Sequence, residues 1–263
     1  MALDPEHAAG TNVRSPGVFP GTGGCTNCYL GPMCLPGRLA PGDTERLRRI
    51  VRPLPPLRPR QVLFDGGAPR GQLYIVRAGC LRTSVREGNG SDTVVDFLLP
   101  GDITGFGTGV GTMRGTRAIA LERSNVCAIR FADLHGLAAR IPGLQEQLYR
   151  LIERTMANTG NHVLMMGQRT APERLALFLL NWSSRRRAAG FSDVDLDLPM
   201  RREDLASYLG LVTETASRAV SRLQGRELIE VLGRHRIRLL DPQRLADLAE
   251  TDVEANGVSA RAV

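Results

Sequence analysis

The chain has 263 residues, of which 42% are hydrophobic and 23% charged, with a net charge of +7 and a pI near 9.8. That length builds one large domain or two modest ones around a real core, and the basic excess favours a polyanionic partner such as nucleic acid. No run of about 18 apolar residues occurs, which excludes a membrane-spanning helix.

In chain order, residues 1–24 are polar and rich in Gly and Pro and read as a flexible tail. They lack the apolar stretch of a signal or transit peptide, so a cytoplasmic protein without a membrane role is expected. There, five cysteines are reduced thiols or metal ligands rather than structural disulfides. Residues 25–37 hold three of them in a loop with little secondary structure, followed by a short helix over 41–51. From 60 to 130, short apolar runs alternate with Gly-rich turns, the pattern of an all-β sandwich or barrel.

Pro142 then opens a long helix. Along it Tyr149, Ile152, Met156, Thr159, Val163 and Met166 recur at steps of three and four, a seam suited to a parallel partner helix. Packing on the chain's own β-domain is the competing reading. A helix over 171–182, a loop with Phe191 and Asp193, two helices over 201–209 and 213–226, and two short strands over 229–232 and 237–240 complete the ordered part. Residues 251–263 read as a flexible tail. The expected organisation is α+β: a cysteine loop with a β-domain over 25–140, a long helix suited to pairing over 141–170, and a C-terminal domain over 171–250.

The strongest functional pattern lies at 201–241. Leu205, Ala206 and Leu209 give one helix an apolar face, Gly210 permits a sharp turn, and Ala219, Val220 and Leu223 give the next helix its buried side. Thr213, Glu214, Ser217, Arg218 and Arg222 are left on the wet face. A hairpin tipped by Arg234, His235 and Arg236 follows, which makes this a winged helix-turn-helix. In a major groove Arg218 can fork onto guanine and Glu214 can accept from cytosine, while Arg222 and the wing hold phosphates.

Cys25, Cys28 and Cys34 have the spacing C-x2-C-x5-C, and Cys127 stands on a predicted strand. Thiolates that converge from a loop select zinc or an iron–sulfur cluster, and the chemistry leaves both open. His135 and His162 lie on predicted helices, away from this set. Cys80, at a strand start, reads as a small buried hydrophobe. No nucleophile–base pair or phosphate loop suggests an enzyme.

The order of cysteine loop, β-domain, long helix and winged helix resembles the CRP/FNR family of bacterial regulators, in its FNR branch, over about residues 25–248. The resemblance implies a β-roll sensor domain of the cyclic-nucleotide-binding, jelly-roll type. It also implies one [4Fe–4S] cluster per subunit on Cys25, Cys28, Cys34 and Cys127. It implies a homodimer that binds double-stranded DNA when oxygen is low and acts on RNA polymerase as activator or repressor. Glu214, Ser217 and Arg218 match that branch's E-x-x-S-R, and Thr213 in place of Arg implies a TTGAT-N4-ATCAA type of palindrome. Phe106 and Thr116 stand where cyclic-nucleotide binders carry Glu and Arg, so no cyclic nucleotide is expected. Thr159 stands where an Asp can sit in the dimer seam, which removes a charge repulsion, and Met33 beside Cys34 is placed to shield the cluster. The alternatives are a regulator whose cysteines bind zinc or form a redox disulfide, and an iron–sulfur protein without a DNA role.

Overall fold

Strands β3 (Gln72–Ala78) and β8 (Asn125–Arg130) are buried over most of their length on both faces, and the reason is visible in a computed structural model. It describes residues 25, 28–66, 71–88, 90–105, 115–167 and 169–255. The expectations for residues 1–24, 256–263 and Phe106 fall outside these.

Strands β3 and β8 lie at the centre of an antiparallel sheet, between β1 (Arg52–Pro53) and β6 (Ile103–Thr104). Side chains alternate across it. Tyr74, Val76, Val126 and Ala128 point inward, onto Phe64, Leu81, Leu98, Ala118 and Ala120 of the second sheet. Leu73, Ile75, Cys127 and Ile129 point outward, into a separate core. The second sheet has the order β2 (Val62–Phe64), β7 (Thr116–Ala120), β4 (Leu81–Arg86), β5 (Asp92–Leu98). The two sheets form the expected β-roll.

The outward core is covered by α1 (Pro41–Ile50), α2 (Phe131–Ala138), the first half of α3 (Pro142–Met166) and the cysteine loop. Leu30, Cys34 and Leu35 are buried in it, and residues Gly31–Met33 form a 3₁₀ turn. The segment is therefore a packed lid rather than the bare loop that its Gly and Pro content suggested. On α3, Leu144, Leu148 and Leu151 are buried, each contributing roughly 1.5–3 kcal/mol. The second half of the helix leaves Met156, Val163 and Leu164 about two-thirds exposed.

The C-terminal domain begins at α4 (Ala171–Ala188), started by a capping box in which the Thr170 N–H donates to Glu173 Oε2 at 2.9 Å. Helices α5 (Arg202–Tyr208) and α6 (Thr213–Gly225) follow. Between them Gly210 has φ +62°, and a Cβ there would come 3.1 Å from Met166 Sδ, so the turn suits glycine on both counts. The wing strands β10 (Ile229–Gly233) and β11 (Arg236–Leu239) pair as expected. A third strand, β9 (Asp195–Asp197), joins β11 within the stretch read as a loop. Three residues with acids at either end give little apolar signal, and the pairing with Arg236 and Arg238 makes the strand. The last helix, α7 (Pro242–Ala255), runs into the segment read as a tail, because Leu245 and Ala249 anchor it to the domain core.

The two domains share one core. Phe97 of β5 meets Phe178, Trp182 and Tyr208 edge-on or tilted, with centroids 5.1–6.3 Å apart. Arg82 of the β-roll pairs with Asp204 of α5, and Ser207 Oγ accepts the Val94 N–H at 3.0 Å.

Candidate cofactor cavity and nucleic-acid interface

Antiparallel pairing sets Cys127 opposite Ile75, and its outward direction aims it at the loop that packs on that face. The loop turns on itself through Gly31 N–H to Cys28 carbonyl at 3.3 Å and Cys34 N–H to Gly31 carbonyl at 3.2 Å. As a result Cys25, Cys28, Cys34 and Cys127 line one cavity of about 140 Å³. Cys80 is not part of it. Its buried thiol lies in the core shared with the C-terminal domain, as the strand reading held.

Among the described residues that line this cavity, the rest are apolar except for Arg48 and Arg77. Arg77 sits at a bulge between Val76 and Ala78, where the register slips and a side chain can be re-aimed. Its carbonyl accepts the Tyr29 hydroxyl, which ties the loop to the sheet. Burial pushes the Cys127 thiol up to about 12, with the Arg77 guanidinium working in the opposite direction. Burial also raises Cys34 and, with the neighbouring Cys28, Cys25. Burial thus favours the neutral thiol at Cys25, Cys34 and Cys127, and a cation bound there has to displace their protons.

The donor set is sulfur only, which fits a soft metal centre. Among the described residues no three His, Cys, Asp or Glu side chains converge to hold a single metal ion. His135 lies tilted beside Phe131 with ring centroids 6.4 Å apart, and His162 is bonded to the Tyr208 carbonyl at 2.8 Å, so neither joins the set. Met33 does not line the cavity, and its Cε lies near Gly101 instead.

The second site is the outer face of α6. Ala216, Ala219, Val220 and Leu223 are buried beneath it. Thr213, Glu214, Ser217, Arg218 and Arg222 are all exposed on the face above. Arg218 Nη2 donates to Glu214 Oε1 at 2.5 Å, one turn earlier. Both side chains are about three-quarters exposed, so the pair adds little stability and can be exchanged for base contacts. The wing tip at Arg234 and Arg236 is exposed as well.

On the seam of α3, Tyr149, Met156, Thr159 and Val163 are exposed. Ile152 packs on the outward core, and Met166 lies against Gly210. The Thr159 hydroxyl donates to the Thr155 carbonyl at 3.0 Å. Thr116, the cyclic-nucleotide position, is buried at the start of β7.

Comparison with known proteins agrees with this architecture. Residues 55–140 match the cyclic nucleotide-binding domain profile, and residues 173–248 match the Crp-like helix-turn-helix domain. The transcriptional activator protein Anr of Pseudomonas protegens is 38% identical over 88% of this chain and 94% of its own. The fumarate and nitrate reduction regulatory protein of Vibrio cholerae is 33% identical over 88% of this chain and 92% of its own. The solved structure of FixK2 from Bradyrhizobium japonicum is 28% identical with a TM-score of 0.66, over 76% of this chain and 97% of that one.

Proposed function

This chain belongs to the CRP/FNR family of transcription regulators, and on that premise we propose that it senses oxygen through a [4Fe–4S] cluster on Cys25, Cys28, Cys34 and Cys127. It is a DNA-binding regulator of the FNR/Anr type, not an enzyme. The observation that carries the sensing reading is the cavity lined by four cysteines from two distant segments, otherwise apolar save for two arginines. When bound, such a cluster supplies a redox-labile anionic centre that oxygen can attack. The chain's residues contribute the four sulfurs, an apolar wall that limits water, and the positive charge of Arg48 and Arg77 facing the thiolates.

With the cluster in place, a homodimer paired along the exposed Tyr149, Met156 and Val163 presents two α6 helices about one DNA turn apart. Thr213, Glu214, Ser217 and Arg218 then read a palindrome of the TTGAT-N4-ATCAA type, and the bound dimer acts on RNA polymerase. The test is anaerobic purification with iron and sulfide assays and a spectrum before and after air. About four irons and four sulfides per chain, lost in air along with salt-sensitive binding to that palindrome, is the expected result. Zinc without sulfide overturns the cluster reading. Absence of sequence preference on DNA overturns the palindrome.

A further inference from the structure

Arg154 stands on α3 between the buried half of the helix and the exposed seam. Its Nη2 donates to two backbone carbonyls from different segments: Met33 at 3.1 Å and Gly101 at 2.5 Å. Met33 is the neighbour of Cys34 in the cysteine loop, and Gly101 lies in the turn after β5. The three are in contact. Gly101 has φ +93°, and a Cβ there would come 3.2 Å from Met33 Cε and 3.4 Å from Arg154 Nη2. Glycine is what lets the loop and the helix close on this turn.

The residue after Gly101 faces the other domain. The Asp102 carboxylate accepts the Leu99 N–H at 2.7 Å and Arg185 Nη2 of α4 at 2.6 Å. Arg185 also donates to the Phe97 carbonyl at 2.6 Å, and its side chain is about one-eighth exposed. The turn over residues 99–102 is therefore held from one side by the dimerisation helix and the cysteine loop, and from the other by the DNA-binding domain.

We propose that Arg154 is a positioning residue that couples the cysteine loop to α3 and, through the turn at 99–102, to the DNA-binding domain. The proposal rests on the reading of the cysteine cavity as the sensor. The physical reason is that a guanidinium can satisfy both carbonyls at once, whereas a partly buried cation that loses one acceptor has to find another or move to water. A shift of the loop at Cys34 carries the Met33 carbonyl with it. Arg154 then loses one of its two anchors, and both α3 and the Gly101 turn are released from their shared position. Thr159 gives the seam no charge with which to answer the loop, and its hydroxyl is satisfied within its own helix. Leu144, Leu148 and Leu151 of α3 share the core that buries Cys34, and Arg154 adds a directional polar link from the loop to the same helix.

The test compares the affinity for TTGAT-N4-ATCAA duplex of anaerobic and air-treated protein, for wild type, Arg154→Met, Arg154→Lys and Arg150→Met. Coupling between sites is typically five- to 150-fold, so a wild-type ratio of roughly that size is expected. Arg154→Met should bring the ratio near one while iron and sulfide content stays at the wild-type level. Arg154→Lys, able to hold one carbonyl, should fall between. Arg150 pairs with Glu146 on the helix surface, so Arg150→Met should keep the wild-type ratio. A wild-type ratio retained in Arg154→Met overturns the proposal. If wild type carries no iron and sulfide, the sensor reading falls instead, and the reciprocal measurement decides the coupling. DNA should then slow hydrogen exchange of the amides at 30–37 in wild type but not in Arg154→Met, because linkage runs both ways. Equal exchange in the two overturns it.

Discussion

On α6, each residue's direction is set by neighbours three and four positions away. Ala216, Ala219, Val220 and Leu223 go inward, and Glu214, Ser217, Arg218 and Arg222 go out. The cysteine cavity is assembled differently. Three of its sulfurs come from one loop and the fourth from β8, and they meet only because β3 and β8 pair in one register and the loop is buried over their outer face. The exposed face of α6 thus depends on a helix and its local period. The cysteine cavity depends on long-range packing, and it can be lost without touching a residue on that face.

The largest test of that contrast is Cys127→Ser against Cys80→Ser. Cys127→Ser should take iron from about four per chain to none in stable form, while Cys80→Ser should leave the iron and sulfide content unchanged. Equal behaviour of the two variants would mean that the cavity is not the cluster site. Neither change should alter the outer face of α6.

Arg218→Ala probes the other side of the comparison. It should cost roughly 1–3 kcal/mol on the palindrome and relax selection at the guanine it reads, as measured by competition between duplexes. Its exposed pairing with Glu214 implies a melting temperature close to wild type. Equal weakening on every sequence would place Arg218 on phosphate.

Thr159→Asp sharpens the link between the regions. Like charges facing each other along α3 should weaken the dimer roughly tenfold or more in sedimentation equilibrium, and less at high salt. An unchanged dimer would put the seam elsewhere on the helix.

The smallest effect concerns the domain interface. Burial raises the Asp96 carboxyl to about 6, although Arg185 pulls it down. A raised carboxyl contributes stability below its unfolded value of about 3.9, and that contribution is lost as the pH rises through about 6. Asp96→Asn cannot ionise. Its melting temperature relative to wild type should therefore climb between about pH 4 and pH 7, by a few degrees at most because Asp96 is about a quarter exposed. A flat difference would remove Asp96 from the pH response.

Both functional regions were legible in the sequence to different depths. The helix-turn-helix could be read down to single residues, since an amphipathic period, Gly210 and the wing strands are local signals. The cysteine spacing identified candidate ligands, but it could not say that the loop around them is buried, or that Arg48 and Arg77 face them. Met33 shows the limit. Its position next to Cys34 suggested a shield, yet the 3₁₀ turn at Gly31–Met33 sends it towards Gly101.

By itself the sequence determined the buried and exposed sides of α5 and α6, the turn at Gly210 and the two wing strands after them, because these follow from periodicity and turn chemistry within a few positions. Tertiary structure decided that β9 completes the wing, that α7 continues into the apparent tail, and that Phe97 joins the two domains. It also brought Arg154 to Met33 and Gly101. Each of those depends on partners distant along the chain, whose pairing is fixed by packing and burial that no local pattern encodes.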